Sequence, residues 1–155
     1  MIDYIHIEHY ETKIELIQKL GIVNKHPYQP AILYEIEVED LKKGDIISLT
    51  SAYEFTNDNR FEVMISSIVT ISSDPKDPWG RTLDEGRGYN LTNVMHHGIA
   101  VHNRQIELEV DYPGKSYIKT TVIAASQFAR SNMVDSLLVE KGHGHLDAII
   151  YKNNP

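Results

Sequence analysis

The stretch AILYEIEVEDL, residues 31–41, sets apolar Ile32, Tyr34, Ile36 and Val38 in one phase and Glu35, Glu37 and Glu39 in the other. Side chains of an extended chain point alternately to opposite faces, so a period of two is the mark of a strand with one face in the core and one in water. The pattern continues on both sides of a Lys-Gly-Asp turn at 43–45. In the next segment Ile47, Leu49, Tyr53 and Phe55 share a phase, and after the turn-rich TNDNR at 56–60 so do Phe61, Val63, Ile65, Val69 and Ile71.

The second half behaves alike. RQIELEV (104–110) alternates, DYPGKS (111–116) is a turn by composition, and YIKTTVIAAS (117–126) is rich in β-branched residues. DSLLVE (135–140) and HLDAIIYK (145–152) read as two further short strands. About eight strands with no alternating helices predict an all-β sandwich or barrel in a single domain spanning 1–155. One segment departs from the pattern. In YETKIELIQKLGI (10–22), Thr12 stands three residues before Glu15, and Ile14, Ile17 and Leu20 lie near helical spacing before Gly21. That is consistent with one short N-terminal helix over 12–21, while alternation of Ile14 and Leu16 around Glu15 is equally consistent with a strand.

The chain has 155 residues, a formal net charge of −7 and no cysteine. Disulfides and thiolate chemistry are excluded. Scattered basic residues on an acidic background argue against binding nucleic acid, which depends on clustered Lys and Arg. No apolar run is long enough to cross a membrane and the first residues lack the pattern of a signal peptide, so a soluble protein is expected, of unknown compartment.

The stretch SSDPKDPWGRTLDEGRGYNLTN (72–93), with two Pro, three Gly and no sustained period, predicts a long loop joining the halves of the domain. It holds the only tryptophan, Trp79, beside Gly80 and Arg81. Trp79 either folds back to cap one end of the sandwich or stands exposed with Arg81 as a stacking and hydrogen-bonding platform for a carbohydrate or protein ligand.

Three histidines, His96, His97 and His102, form the densest set of nitrogen ligands. A cupin-like enzyme holding one divalent metal ion would use two His, a carboxylate and a further His. Adjacent His96 and His97 point to opposite faces of a strand, so at most one of them can join His102. His143, His145 and Asp147 in VEKGHGHLDAII (139–150) also alternate, but Leu146, Ala148 and Ile150 supply the buried phase there, which leaves His145 and Asp147 on the outer face. Glu107 and Glu109 fall on a solvated strand face, and neither a GxSxG elbow nor an HExxH is present. The residues thus point to no catalytic group and no required cofactor, with the metal-dependent enzyme as the alternative.

Several positions carry a family likeness. Gly114, Tyr117 and Ile118, then Gly144 and Leu146, together with LKKGDIISLTSAYEFTN (41–57), resemble the strands of the tumour necrosis factor and complement globular-head superfamily, across roughly residues 31–151. The family usually places an aromatic residue before the final Gly, where this chain has His143. The resemblance implies a jelly-roll sandwich of eight to ten antiparallel strands that assembles as a homotrimer and binds other molecules. With nine tyrosines in the chain, Tyr53, Tyr112 and Tyr117 are candidates for contacts between subunits, and core packing is the competing role for each.

Overall fold

The computed structural model describes residues 4–11, 17–23, 30–91, 96–129 and 136–153, and every regular element among them is a strand. These are β1 (Tyr4–Glu11), β2 (Ile17–Val23), β3 (Ala31–Leu41), β4 (Ile46–Asn57), β5 (Val63–Ser72), β6 (Arg81–Leu91), β7 (His96–Glu107), β8 (Tyr112–Ala125) and β9 (Ser136–Asn153). One layer runs β6-β5-β8-β3 and the other β7-β4-β9-β1. β2 joins them, antiparallel to β9 and parallel to β8 through Ile22 and Val23. Among the described residues that short parallel pairing is the one departure from the expected antiparallel order.

The alternation forecast from the sequence places the core. Tyr34, Ile36, Val38, Ile47, Leu49, Tyr53, Phe55, Val63, Ile65, Val69 and Ile71 are all buried, each Ile, Leu or Val contributing roughly 1.5–3 kcal/mol by leaving water. Burial also pushes the Tyr34 phenol up to about 12. Tyr53 is wholly buried and its ring lies 5.8 Å from that of Phe55, so it packs the core and has no surface to offer a neighbouring subunit. Tyr112 and Tyr117 are half-buried.

One open alternative is decided and two expectations are corrected. Residues 17–23 are a strand, because Ile22 and its neighbours complete both layers, whereas a helix there would leave the facing edges of β8 and β9 unpaired; residues 12–16 lie outside the described set. The long loop ends at Gly80, since 81–91 form β6. Its period was obscured because β6 is an edge strand with two irregularities, which put both Leu83 and Asp84 inside. The two short strands expected at 135–140 and 145–152 are one strand, β9, interrupted by a wide bulge. Ala52 pairs with His145 and Glu54 with Glu140, so Tyr53 alone faces the four residues 141–144.

The β3–β4 turn is fastened to the end of β9. Gly44 takes φ 92°, and the Asp45 carboxylate, 1% exposed, accepts hydrogen bonds from Lys42 N at 2.9 Å, Asn153 N at 2.8 Å and Lys152 Nζ at 3.1 Å. Three donors converging on one buried carboxylate make Asp45→Ala costly: a loss of about 2–3 kcal/mol in denaturant unfolding is expected, and a loss below about 0.5 kcal/mol would contradict this role.

Candidate functional site

Two regions carry polar chemistry beyond the ordinary sandwich. The first is the loop 73–80. Alternation along β8 turns Ser116, Ile118, Thr120 and Val122 to the inner face, where Thr120 Oγ1 meets Ser51 Oγ of β4 at 2.8 Å. Lys119 and Thr121 therefore belong to the outer face, yet both are buried because the loop folds over them. Lys119 Nζ donates to Ser72 Oγ at 2.9 Å, to the Asp74 carbonyl at 2.6 Å and to the Asp77 carbonyl, and Thr121 Oγ1 donates to the Pro78 carbonyl at 2.7 Å. Burial pushes the ammonium's pKa down, opposed by the negative charges of Asp77, Glu35 and Asp74.

The loop adds its own turns, in which Asp74 Oδ1 accepts from Lys76 N and Asp77 Oδ1 from Trp79 N. Trp79 emerges from this cage 44% exposed, so the loop lies over the outer face of β5 and β8 and does not cap the end of the sandwich. Arg81, two residues on, is exposed and stands 3.7 Å from Glu109 Oε2. An ion pair this open to solvent contributes little to stability and leaves the guanidinium available.

The second region lies where the free edges of the two layers, β6 and β7, face each other. His102, on the inner face of β7 next to buried Ala100, is fully buried. Its Nδ1 lies 2.7 Å from Asp84 Oδ2 on β6 and its Nε2 2.7 Å from Ser67 Oγ on β5. In the neutral ring, an Nδ1–H donating to the Asp84 carboxylate leaves Nε2 to accept from the Ser67 hydroxyl. The order of groups is that of a Ser-His-Asp relay, but Ser67 is 2% exposed, so its hydroxyl lies inside the sandwich and not at the surface. The chain acts here as a polar strut between layers. With both ring nitrogens engaged, His102 offers no lone pair to a metal in this arrangement.

Beside the strut, Asp84, Glu85, Gly86, Asn103 and Arg104 line an open cleft of about 460 Å³. Arg104 Nη1 donates to the Leu83 carbonyl at 3.1 Å. The β6 irregularity shapes this cleft: Ser67 pairs with Arg87 and Val69 with Asp84, so Glu85 and Gly86 together face Ile68. A Cβ at Gly86 would lie 3.1 Å from the Ser67 carbonyl oxygen, so a side chain there would require that backbone to give by a few tenths of an ångström.

Of the expected histidines, the structure describes the side chains of His102 and His145. The side chains of His96, His97 and His143 lie outside the described set, and His145 is 3.9 Å from Asp147 on the outer face of β9, as the burial of Leu146, Ala148 and Ile150 requires. Among the described residues no group of three or more His, Asp or Glu is placed to hold a metal ion. Ser67, Asp84 and Lys119 escaped the sequence reading. His102 itself offered a signal, standing in phase with Ala100 on the inward face, which requires a buried partner for each ring nitrogen.

No protein-family model and no curated protein matches the chain. Solved structures do. A chain from the structure of the infectious bursal disease virus Gx strain is similar at 12% identity and TM-score 0.65 over 97% of this chain and 34% of that one. The Gt strain gives 14% identity and TM-score 0.60 over 96% and 33%. The VP2 subviral particle of the same virus gives 10% and 0.52 over 96% and 38%. The chain thus has a jelly-roll-like β-sandwich fold and spans about a third of the length of the viral chains it matches. Among the described residues no helix is long and apolar enough to cross a membrane.

Proposed function

We propose that this chain is a non-enzymatic recognition and assembly module that binds carbohydrate through Trp79 and Arg81 and works as a homotrimer. The observation that carries the reading is the Lys119 cage. A buried ammonium holding two loop carbonyls fixes the backbone that presents an exposed indole, and a fixed aromatic plane binds a sugar ring with little ordering cost. Neighbouring Arg81 supplies planar donors for hydroxyl or carboxylate groups at the rim.

Assembly is supported by apolar side chains on the outside. Ile99 and Val101, 54% and 50% exposed, flank buried Ala100 on the edge strand β7, and Phe128 after β8 is 61% exposed. Outward apolar residues such as Ile99 and Val101 on an edge strand favour burial against another subunit. The particle-forming proteins of like fold and the trimeric jelly rolls of similar sequence pattern point the same way.

A glycan array together with solution mass tests both parts. Wild-type protein should bind a restricted set of glycans, and Trp79→Ala should weaken that binding by about 30-fold, the size of an aromatic hot spot, with stability changed by less than about 1 kcal/mol. Retention of every glycan signal in Trp79→Ala would remove the indole from the site. A monomeric mass at micromolar concentration would overturn the trimer.

A further inference from the structure

We propose a second ligand site, independent of Trp79: the cleft between the β6 bulge and β7 binds a neutral saccharide through a pair of adjacent hydroxyls, one donating to Asp84 and its neighbour accepting from Arg104 or Asn103. The starting point is Asp84. It is 6% exposed, and its Oδ2 is taken by His102 Nδ1. Its Oδ1 has no partner among the described residues, and Asp84 lines the cleft. The residue as a whole is nearly buried, so a donor delivered into the cleft meets a carboxylate oxygen with no protein partner among the described residues.

The lining selects the ligand. Among the described residues it has no apolar or aromatic side chain, and its polar groups suit a polar molecule. Glu85 and Asp84 accept, while Asn103 and the guanidinium donors of Arg104 not directed at the Leu83 carbonyl give. A metal cation satisfies the acceptors but is repelled by Arg104, and a simple anion meets two carboxylates. Hydroxyls both donate and accept, and vicinal hydroxyls present the two roles side by side. The volume of about 460 Å³ falls within the range of small-molecule sites, roughly 300–1,000 Å³.

The strut behind the site provides its rigidity. Asp84 is fixed by His102, which is fixed by Ser67, so the accepting oxygen is held in place before the ligand arrives.

The test is amide NMR titration of the whole chain with a panel of neutral hexoses, their mono-deoxy analogues, glycerol and calcium chloride. At least one hexose is expected to shift the amides of Gly86, Asn103 and Arg104, and the analogue lacking one of the paired hydroxyls to bind at least tenfold more weakly. Arg104→Met, at an exposed position, should weaken the hexose about tenfold with the fold intact, and Asp84→Asn should weaken it more. Trp79→Ala should leave this affinity unchanged, which separates the site from the glycan surface proposed above. The inference is overturned if no hexose shifts these amides, if Arg104→Met and Asp84→Asn both bind as wild type, or if calcium alone produces the shifts.

Discussion

Replacing Lys119 by methionine is expected to lower stability by about 2–4 kcal/mol and to free the loop 73–80 from the sheet. Methionine nearly matches the length of the lysine stem but brings no donor. Ser72 Oγ and the carbonyls of Asp74 and Asp77 would lose the ammonium that now satisfies them. Each unsatisfied buried acceptor costs about 1–3 kcal/mol, and the sum falls short of three full penalties because a loop at the surface can turn its carbonyls to water. Removing a buried ammonium also recovers some desolvation cost. Trp79 is the only tryptophan, so its fluorescence reports the loop alone. Denaturant unfolding should give the stability loss, and the native-state emission should move to the red with falling anisotropy. Unchanged emission and stability within about 0.5 kcal/mol would show that the loop is held by its own turns. A K119R variant keeps the charge but not the compact three-donor geometry and should fall between the two.

Gly144→Ala should be still more damaging, at about 3 kcal/mol or more, with insoluble expression as its extreme. Gly144 sits in the bulge of β9 where four residues face one on β4. A Cβ there would overlap the carbonyl oxygen of Ala52 and the hydroxyl of Tyr34, and would come within 2.9 Å of the Tyr53 Cα. Two of those three obstacles are backbone, and the third belongs to a core side chain that is 1% exposed, so no flexible group can yield. Overpacking a rigid interior typically costs about 1–3 kcal/mol, and displacing a strand adds to that. Gly114→Ala is the control. Its φ of 71° carries backbone strain, but nothing lies within 4 Å of the added carbon, and the loss should stay near about 1 kcal/mol. Thermal unfolding of the two variants side by side settles the matter: equal losses would mean that packing at Gly144 is not the constraint.

Much of the sandwich was legible because burial on one face writes a period of two into β3, β4 and β5. Where that condition failed, so did the legibility. β6 escaped because it pairs on one side only and its irregularities break the phase between Leu83 and Asp84. The unity of β9 escaped because a bulge of extra residues, marked in sequence only by the glycines at 142 and 144, looks like a turn between two strands. β2 was ambiguous because its ends meet different layers, so neither periodicity is clean. At the candidate sites, Trp79 and Arg81 stood out by composition alone, while the partners that matter lay far away in sequence. Lys119 meets carbonyls more than forty residues earlier, and carbonyls have no residue code to read. His102 finds Ser67 and Asp84 on two other strands, a meeting that only the stacking of the layers decides.

The interrupted strand β9 also orders events in time. One half of it pairs with β2 and the other with β1, and both halves pair with β4, so the final segment of the sandwich is the shared neighbour of three earlier ones. Tyr4 meets its partner at Asn153. During synthesis, β1, β2 and one flank of β4 emerge with open edges and keep them until β9 arrives. Contacts of such long sequence separation place the protein among the slow folders, on the order of milliseconds to seconds, and make those waiting edges the point at which chaperones or neighbouring chains can intervene.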